Sequence, residues 1–151
     1  MKVYKNILLE KERLKILKFV KKTLKDLGPN FPGLQSDPNL HEYKELKILL
    51  DKIKPIIKGY VIQKCWVNLS HGDHISWHNH PDCDKSIVYY LKNKSNIGTM
   101  FKKEGHKVEV KKGLENSLLI FNADIFHAVP PFFPEERYSI AIDIVKKWKN
   151  F

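Results

Sequence analysis

At 151 residues the chain has the size of one domain and can bury one core, so one site is expected rather than two. Hydrophobic residues at 42%, aromatics at 11% and well-mixed charged residues at 29% exclude a disordered chain. The formal charge of +10, from 27 basic against 17 acidic residues, admits an acidic partner; but only Arg13 and Arg137 are arginine and the lysines are scattered, so nucleic acid is possible and not favoured.

The apolar run Ile7-Leu8-Leu9 is cut off by Glu10-Lys11-Glu12-Arg13 and supports neither a signal peptide nor a membrane span. A reducing cytoplasm is the expected location, with Cys65 and Cys83 as plain thiols, since no CxxC pair is present. Over residues 9 to 27, Leu14, Leu17, Val20, Leu24 and Leu27 recur at three- and four-residue spacing among lysines, which predicts an amphipathic helix ended by Gly28-Pro29. After a Gly/Pro loop at 30 to 36, Asp37 as N-cap and Pro38 at the first helical position open a second helix. Its stripe is Leu40, Tyr43, Leu46, Leu50 and Ile53, and Pro55, which lacks an amide hydrogen, stops or kinks it near Lys54.

Beyond Gly59 the pattern changes. Runs at 60 to 69, 85 to 92, 97 to 102, 117 to 121 and 137 to 145 are rich in Val, Ile, Tyr and Phe and are separated by Gly, Asn, Asp and Pro. They predict short strands of a sandwich or barrel, mainly β, buttressed by the two N-terminal helices. With no repeat and no linker, a single domain is expected over residues 1 to 151, with 1 to 58 as helical support and 59 to 151 as the β core.

Four of the seven histidines, His71, His74, His78 and His80, fall within ten residues. Residues two apart on a strand share a face, so His78 and His80 can aim both imidazoles at one point as a metal half-site. His80-Pro81-Asp82 is an overlapping His-x-Asp half-site, of the kind found in the two-histidine, one-carboxylate triad of non-haem iron oxygenases. The residues leave both open. His127 is the third member, carried back toward the sheet interior by a turn at Asn122-Ala123-Asp124. Ten residues on, Arg137 opens the last strand, with Ser139 on its face; a planar guanidinium grips a carboxylate through two parallel hydrogen bonds, which an ammonium cannot do. His71, Asp73, His74 and Trp77 precede the pair, either as exposed turn residues or as the lining of a substrate entrance.

His78-Asn79-His80-Pro81, His127 about fifty residues later and Arg137 ten beyond resemble the 2-oxoglutarate- and Fe(II)-dependent dioxygenases, especially the short phage and bacterial members and the prolyl hydroxylases. The resemblance runs from about residue 60 to 145 and reaches Pro32-Gly33-Leu34-Gln35-Ser36. It implies a double-stranded β-helix, or jelly roll, in which His78, His80 and His127 are the catalytic metal ligands, Asp82 being the alternative carboxylate. It further implies 2-oxoglutarate held by Arg137, Tyr90, Ser139 and Asn68, with O2 as second co-substrate. Tyr90 is the second tyrosine of 86 to 93, a stretch similar to the strand after the ligand pair in prolyl hydroxylases. The implied activity is hydroxylation of an unidentified substrate, a protein prolyl or other side chain, with release of succinate and CO2. Most members carry His-x-Asp at the first pair, so His80 in the carboxylate's place leaves the iron one negative ligand short. Gly72, His78-Asn79-His80 and Asp84 also resemble the first motif of cupins, which implies a metal-binding jelly roll without 2-oxoglutarate chemistry. Cupins do not require Arg137, and the Pro-x-Gly expected before His127 is missing. A metal-free binding module using the basic surface is the third reading.

Overall fold

The computed structural model describes residues 1–148, so the last residues of the expected β core, 149 to 151, lie outside the described part. The large sheet is built around β10 (Arg137–Lys146), buried over its first eight residues. Alternation sorts this strand by chemistry: Tyr138, Ile140, Ile142 and Ile144 enter the main core, while Arg137, Ser139, Ala141 and Asp143 line a cavity on the other face. Its antiparallel neighbours β3 (Tyr60–Ser70) and β5 (Lys85–Lys92) obey the same rule. Cys65, Val67, Leu69, Ile87, Tyr89 and Leu91 enter the core, and Trp66, Asn68, Ser86 and Val88 line the cavity.

With β1 (Lys2–Tyr4), β2 (Leu34–Gln35) and β8 (Leu118–Asn122) the sheet has the order β1-β8-β5-β10-β3-β2. Four shorter strands, β4 (Ile75–His78), β6 (Thr99–Lys102), β7 (Val108–Lys111) and β9 (His127–Val129), form a second antiparallel sheet of order β4-β9-β6-β7. Residues of both sheets line the cavity, the arrangement of a jelly roll.

Helix α1 (Glu10–Val20) buries Arg13, Ile16, Leu17 and Val20 at helical spacing, and the Glu12 carboxylate accepts the Leu9 amide at 2.8 Å. It ends well before residue 27. The Thr23 hydroxyl takes the Val20 carbonyl at 2.8 Å, competing with the helical ladder, and Lys25 then pairs with Gln35 as a β-bridge. The expected second helix is also shorter. Its first part is two 3-10 turns at Leu40–Glu42 and Lys44–Leu46, and only α2 (Lys47–Ile53) is α-helical. The cause lies in β3: the Cys65 amide takes the Pro38 carbonyl at 2.9 Å and the Val67 amide takes the Ser36 hydroxyl at 3.0 Å, so 36 to 38 are tied to that strand and Asp37 pairs with Lys25 instead of capping. α2 stops at Ile53, just before Pro55.

Candidate active site

Three imidazoles meet between the sheets. His78 and His127 are direct cross-strand partners at the ends of β4 and β9, and their ring centroids lie 4.2 Å apart. His80 lies beyond the end of β4, its amide bonded to the Ala123 carbonyl at 2.9 Å, and its ring is 5.3 Å from that of His78 and 5.0 Å from that of His127. The two-residue spacing thus converges as expected, but by a loop held on the 122 to 124 turn and not by strand alternation. One nitrogen from each of the three rings lies within 4.8 Å of the others. Asp82 is exposed and takes no part in this group.

Which nitrogen each ring offers follows from its other partner. Nδ1 of His78 lies 2.7 Å from the Ser76 carbonyl, Nδ1 of His127 3.0 Å from the Ile125 carbonyl, and Nδ1 of His80 2.8 Å from a carboxylate oxygen of Asp143. Carbonyls and carboxylates only accept, so each Nδ1 carries a proton and each neutral ring presents the lone pair of Nε2. Burial keeps His127 neutral, pushing its pKa down to about 4, and also lowers that of His78; the adjacent imidazoles add to both shifts. Neutral, oriented imidazoles are the form that binds metal. Phe121 packs edge-on against His127 with centroids 4.8 Å apart, and Trp66 stacks on His80 at 5.8 Å.

Arg137 occupies the same cavity and is 1% exposed. Its guanidinium lies 5.5 Å from the centre of the Tyr90 ring, the Tyr90 hydroxyl bonds Thr99 at 2.9 Å, and the Arg137 Nε has no hydrogen-bond partner among the described residues. Glu135 is engaged with Ser95, and Glu136 with Tyr138 and Lys92, so neither neutralises Arg137. Burial lowers the guanidinium pKa with no carboxylate opposing it. A buried, uncompensated cation costs several kcal/mol, and a carboxylate ligand would supply the missing partner.

Register explains the company Arg137 keeps. Ser139 pairs with Asn68 on one side and Tyr90 on the other, so the three form one row across β3, β10 and β5, next to Arg137 on the same face. Asn68 accepts from Gln35 Nε2 at 2.7 Å. His71, Asp73 and His74 are exposed, whereas Trp77 lines the cavity. Sequence reasoning missed Thr99, Trp66 and Asp143. Only Asp143 had a legible signal: counting in twos from Arg137 along one strand puts a carboxylate on the inner face.

No protein-family model matches the sequence, and no curated protein does. Solved structures do match. A 2-oxoglutarate-Fe(II) oxygenase-family oxidoreductase from Burkholderia pseudomallei superposes with a TM-score of 0.74 at 14% identity, over 95% of this chain and 82% of that one. The collagen prolyl hydroxylase of Paramecium bursaria Chlorella virus-1, solved with 2-oxoglutarate, gives 0.73 at 14% identity over 98% and 96%. The epimerase SnoN of nogalamycin biosynthesis, solved with Fe3+ and α-ketoglutarate, gives 0.79 at 9% identity over 95% and 78%. The chain therefore has the fold of the 2-oxoglutarate- and Fe(II)-dependent oxygenases. Among the described residues no helix is long and apolar enough to cross a membrane.

Proposed function

We propose that the protein is a 2-oxoglutarate- and Fe(II)-dependent dioxygenase that hydroxylates a protein or peptide side chain, releasing succinate and CO2. The observation that carries this reading is the buried Arg137, its Nε unpartnered, in the same cavity as three imidazoles whose Nδ1 atoms are all engaged elsewhere. A bare metal-binding jelly roll has no need of a desolvated guanidinium there, which sets the cupin reading aside.

His78, His80 and His127 hold the iron through Nε2. Arg137 takes the distal carboxylate of 2-oxoglutarate in a bidentate grip, with Tyr90, Ser139 and Asn68 shaping the pocket around it. Iron bound there would supply the oxidising chemistry, with O2 and the oxo-acid as co-substrates. The chain positions the reactants: Phe121 packs on His127 and Trp66 on His80, and Phe31 and Trp77 are among the residues lining a cavity of about 640 Å³, room for the oxo-acid and one substrate side chain. The likeness to prolyl hydroxylases favours a peptide, although SnoN shows that this fold also supports epimerisation. The chain acts as one domain, but its first 58 residues are more than the expected helical support: besides bracing the outer face of the large sheet they supply its strands β1 and β2 and, through Phe31, Gln35 and Ser36, part of the cavity wall; two free thiols suit a cytoplasmic setting.

Anaerobic addition of Fe(II) and then 2-oxoglutarate is expected to raise the weak visible charge-transfer band of the chelate. A protein that binds iron yet shows no band, and that releases no succinate on admitting air, is not this enzyme.

A further inference from the structure

The three imidazoles are not equivalent. Those of His78 and His127 lean on neutral backbone carbonyls, whereas that of His80 donates to the carboxylate of Asp143 at 2.8 Å. Resting on the ligand assignment just made, we propose that Asp143 is a positioning residue that supplies, through the His80 ring, the negative charge that an all-histidine ligand set lacks.

Charge, geometry and burial carry this. Three neutral imidazoles leave a divalent cation uncompensated in a partly desolvated site, where the two-histidine, one-carboxylate set would place one anion on the metal itself. Asp143 is 6% exposed, and among the described residues no lysine or arginine nitrogen lies within 4 Å of its carboxylate to consume its charge. The Ser86 hydroxyl donates to the same oxygen at 2.9 Å and fixes the carboxylate. A carboxylate on Nδ1–H raises the donor strength of Nε2 and, with Trp66 stacked on the ring at 19° interplanar angle, sets its plane. The anchor belongs to β10, the central strand of the large sheet, while His78 and His127 belong to the small one. Asp143 therefore also ties the metal group to the most buried element of the fold. A carboxylate serving only to satisfy a buried histidine would stabilise the protein equally with or without metal.

The test is Co(II) binding, followed by absorbance. Asp143→Asn keeps the shape and removes the charge; it is expected to lower Co(II) affinity by ~10- to 100-fold, the usual effect of losing such a partner, and to shift the d–d bands. Asp143→Glu should recover part of the affinity, and Ser86→Ala, which keeps the charge, should change it by less than ~3-fold. Should Asp143→Asn not fold, the Zn(II)-loaded wild type decides: the Nδ1 proton of His80 should resonate furthest downfield of the three, as a charge-assisted hydrogen bond requires. Wild-type affinity and spectrum in Asp143→Asn, or a His80 proton no further downfield than the others, would overturn the inference while leaving the ligand set intact. A wild-type protein that binds no Co(II) would remove the ligand set itself and this inference with it.

Discussion

The two arginines show how the same side chain is spent differently inside one small protein. Arg13, 7% exposed, is fully engaged: its Nε and Nη2 hold Glu10, its Nη1 donates to the Leu91 carbonyl at 2.7 Å, and Glu115 lies 3.5 Å away. Arg137 is buried more completely and has an unpartnered Nε. The same substitution should therefore act with opposite signs. Arg13→Met orphans the Leu91 carbonyl and is expected to destabilise by ~1–3 kcal/mol in urea denaturation. Arg137→Met removes an uncompensated charge, so the metal-free protein should be at least as stable as wild type, while 2-oxoglutarate affinity falls by ~30-fold or more, as the ~2–5 kcal/mol of a truncated buried charge pair implies. Wild-type affinity in Arg137→Met would take the clamp out of the mechanism. His127 gives a pH dependence at the same scale. Its pKa is about 4 in the fold against 6.5 in the unfolded chain, so between those values the unfolded state binds more protons and stability rises with pH. Metal-free protein taken from pH 7 down through that window should lose about 3 kcal/mol on this account, and His127→Phe should flatten the slope; an unchanged slope would mean the imidazole is not held neutral.

At the scale of elements, what was legible was periodicity, and what was not was pairing. The long strands declare themselves because their inward and outward faces differ in chemistry: β3, β5 and β10 fall within a residue or two of the runs at 60 to 69, 85 to 92 and 137 to 145. Strands β1, β2 and β9 hold two or three residues each, too few for a period, and exist because a neighbour offers an edge. The histidines and Arg137 were readable from residue type and spacing. Asp82 competed with His78 for the second place beside His80 on spacing alone, and only the path of the loop beyond β4 separates them. Gly113 was not readable at all, because its role is proximity: a Cβ there would stand 2.3 Å from the Ile97 carbonyl oxygen, 2.6 Å from Tyr90 Cε1 and 2.7 Å from Asn93 Nδ2. The backbone oxygen cannot yield easily, so Gly113→Ala should displace the Tyr90 ring that lies against Arg137. The expected result is a KM for 2-oxoglutarate raised several-fold with less effect on kcat, and a stability loss of ~1–3 kcal/mol from overpacking. Gly105→Ala is the control; it has open space around its Cβ and a φ of +71°, so it should cost ~1 kcal/mol of backbone strain and leave KM alone.

Over the whole molecule the two sheets are unequally supported. The large one packs its outer face on the helices in an extended apolar core, whereas among the described residues the buried apolar cluster between the sheets is Tyr90, Phe101, Leu119 and Phe121, with Val88 and Ile125 packed against it. Strand β4 is weaker still, since its pairing with β9 is interrupted by a register shift between Ile75 and His78. A metal held by His78 and His127 of the small sheet and by His80, anchored on β10, is then a cross-link between the sheets as well as a reaction centre. Amide hydrogen exchange tests this directly. In metal-free protein, amides of 75 to 78 and 127 to 129 should exchange through local opening far faster than those of β10. Zn(II) must dissociate whenever β4 or β9 opens, so it should slow exchange there by the factor 1 + [Zn]/Kd. β7, at the far edge of the same sheet, bears no ligand and can fray without disturbing the site, so its exchange should stay as it was. Equal slowing of β7, or none at 127 to 129, would mean that the small sheet opens as one body or that the histidines do not share an ion.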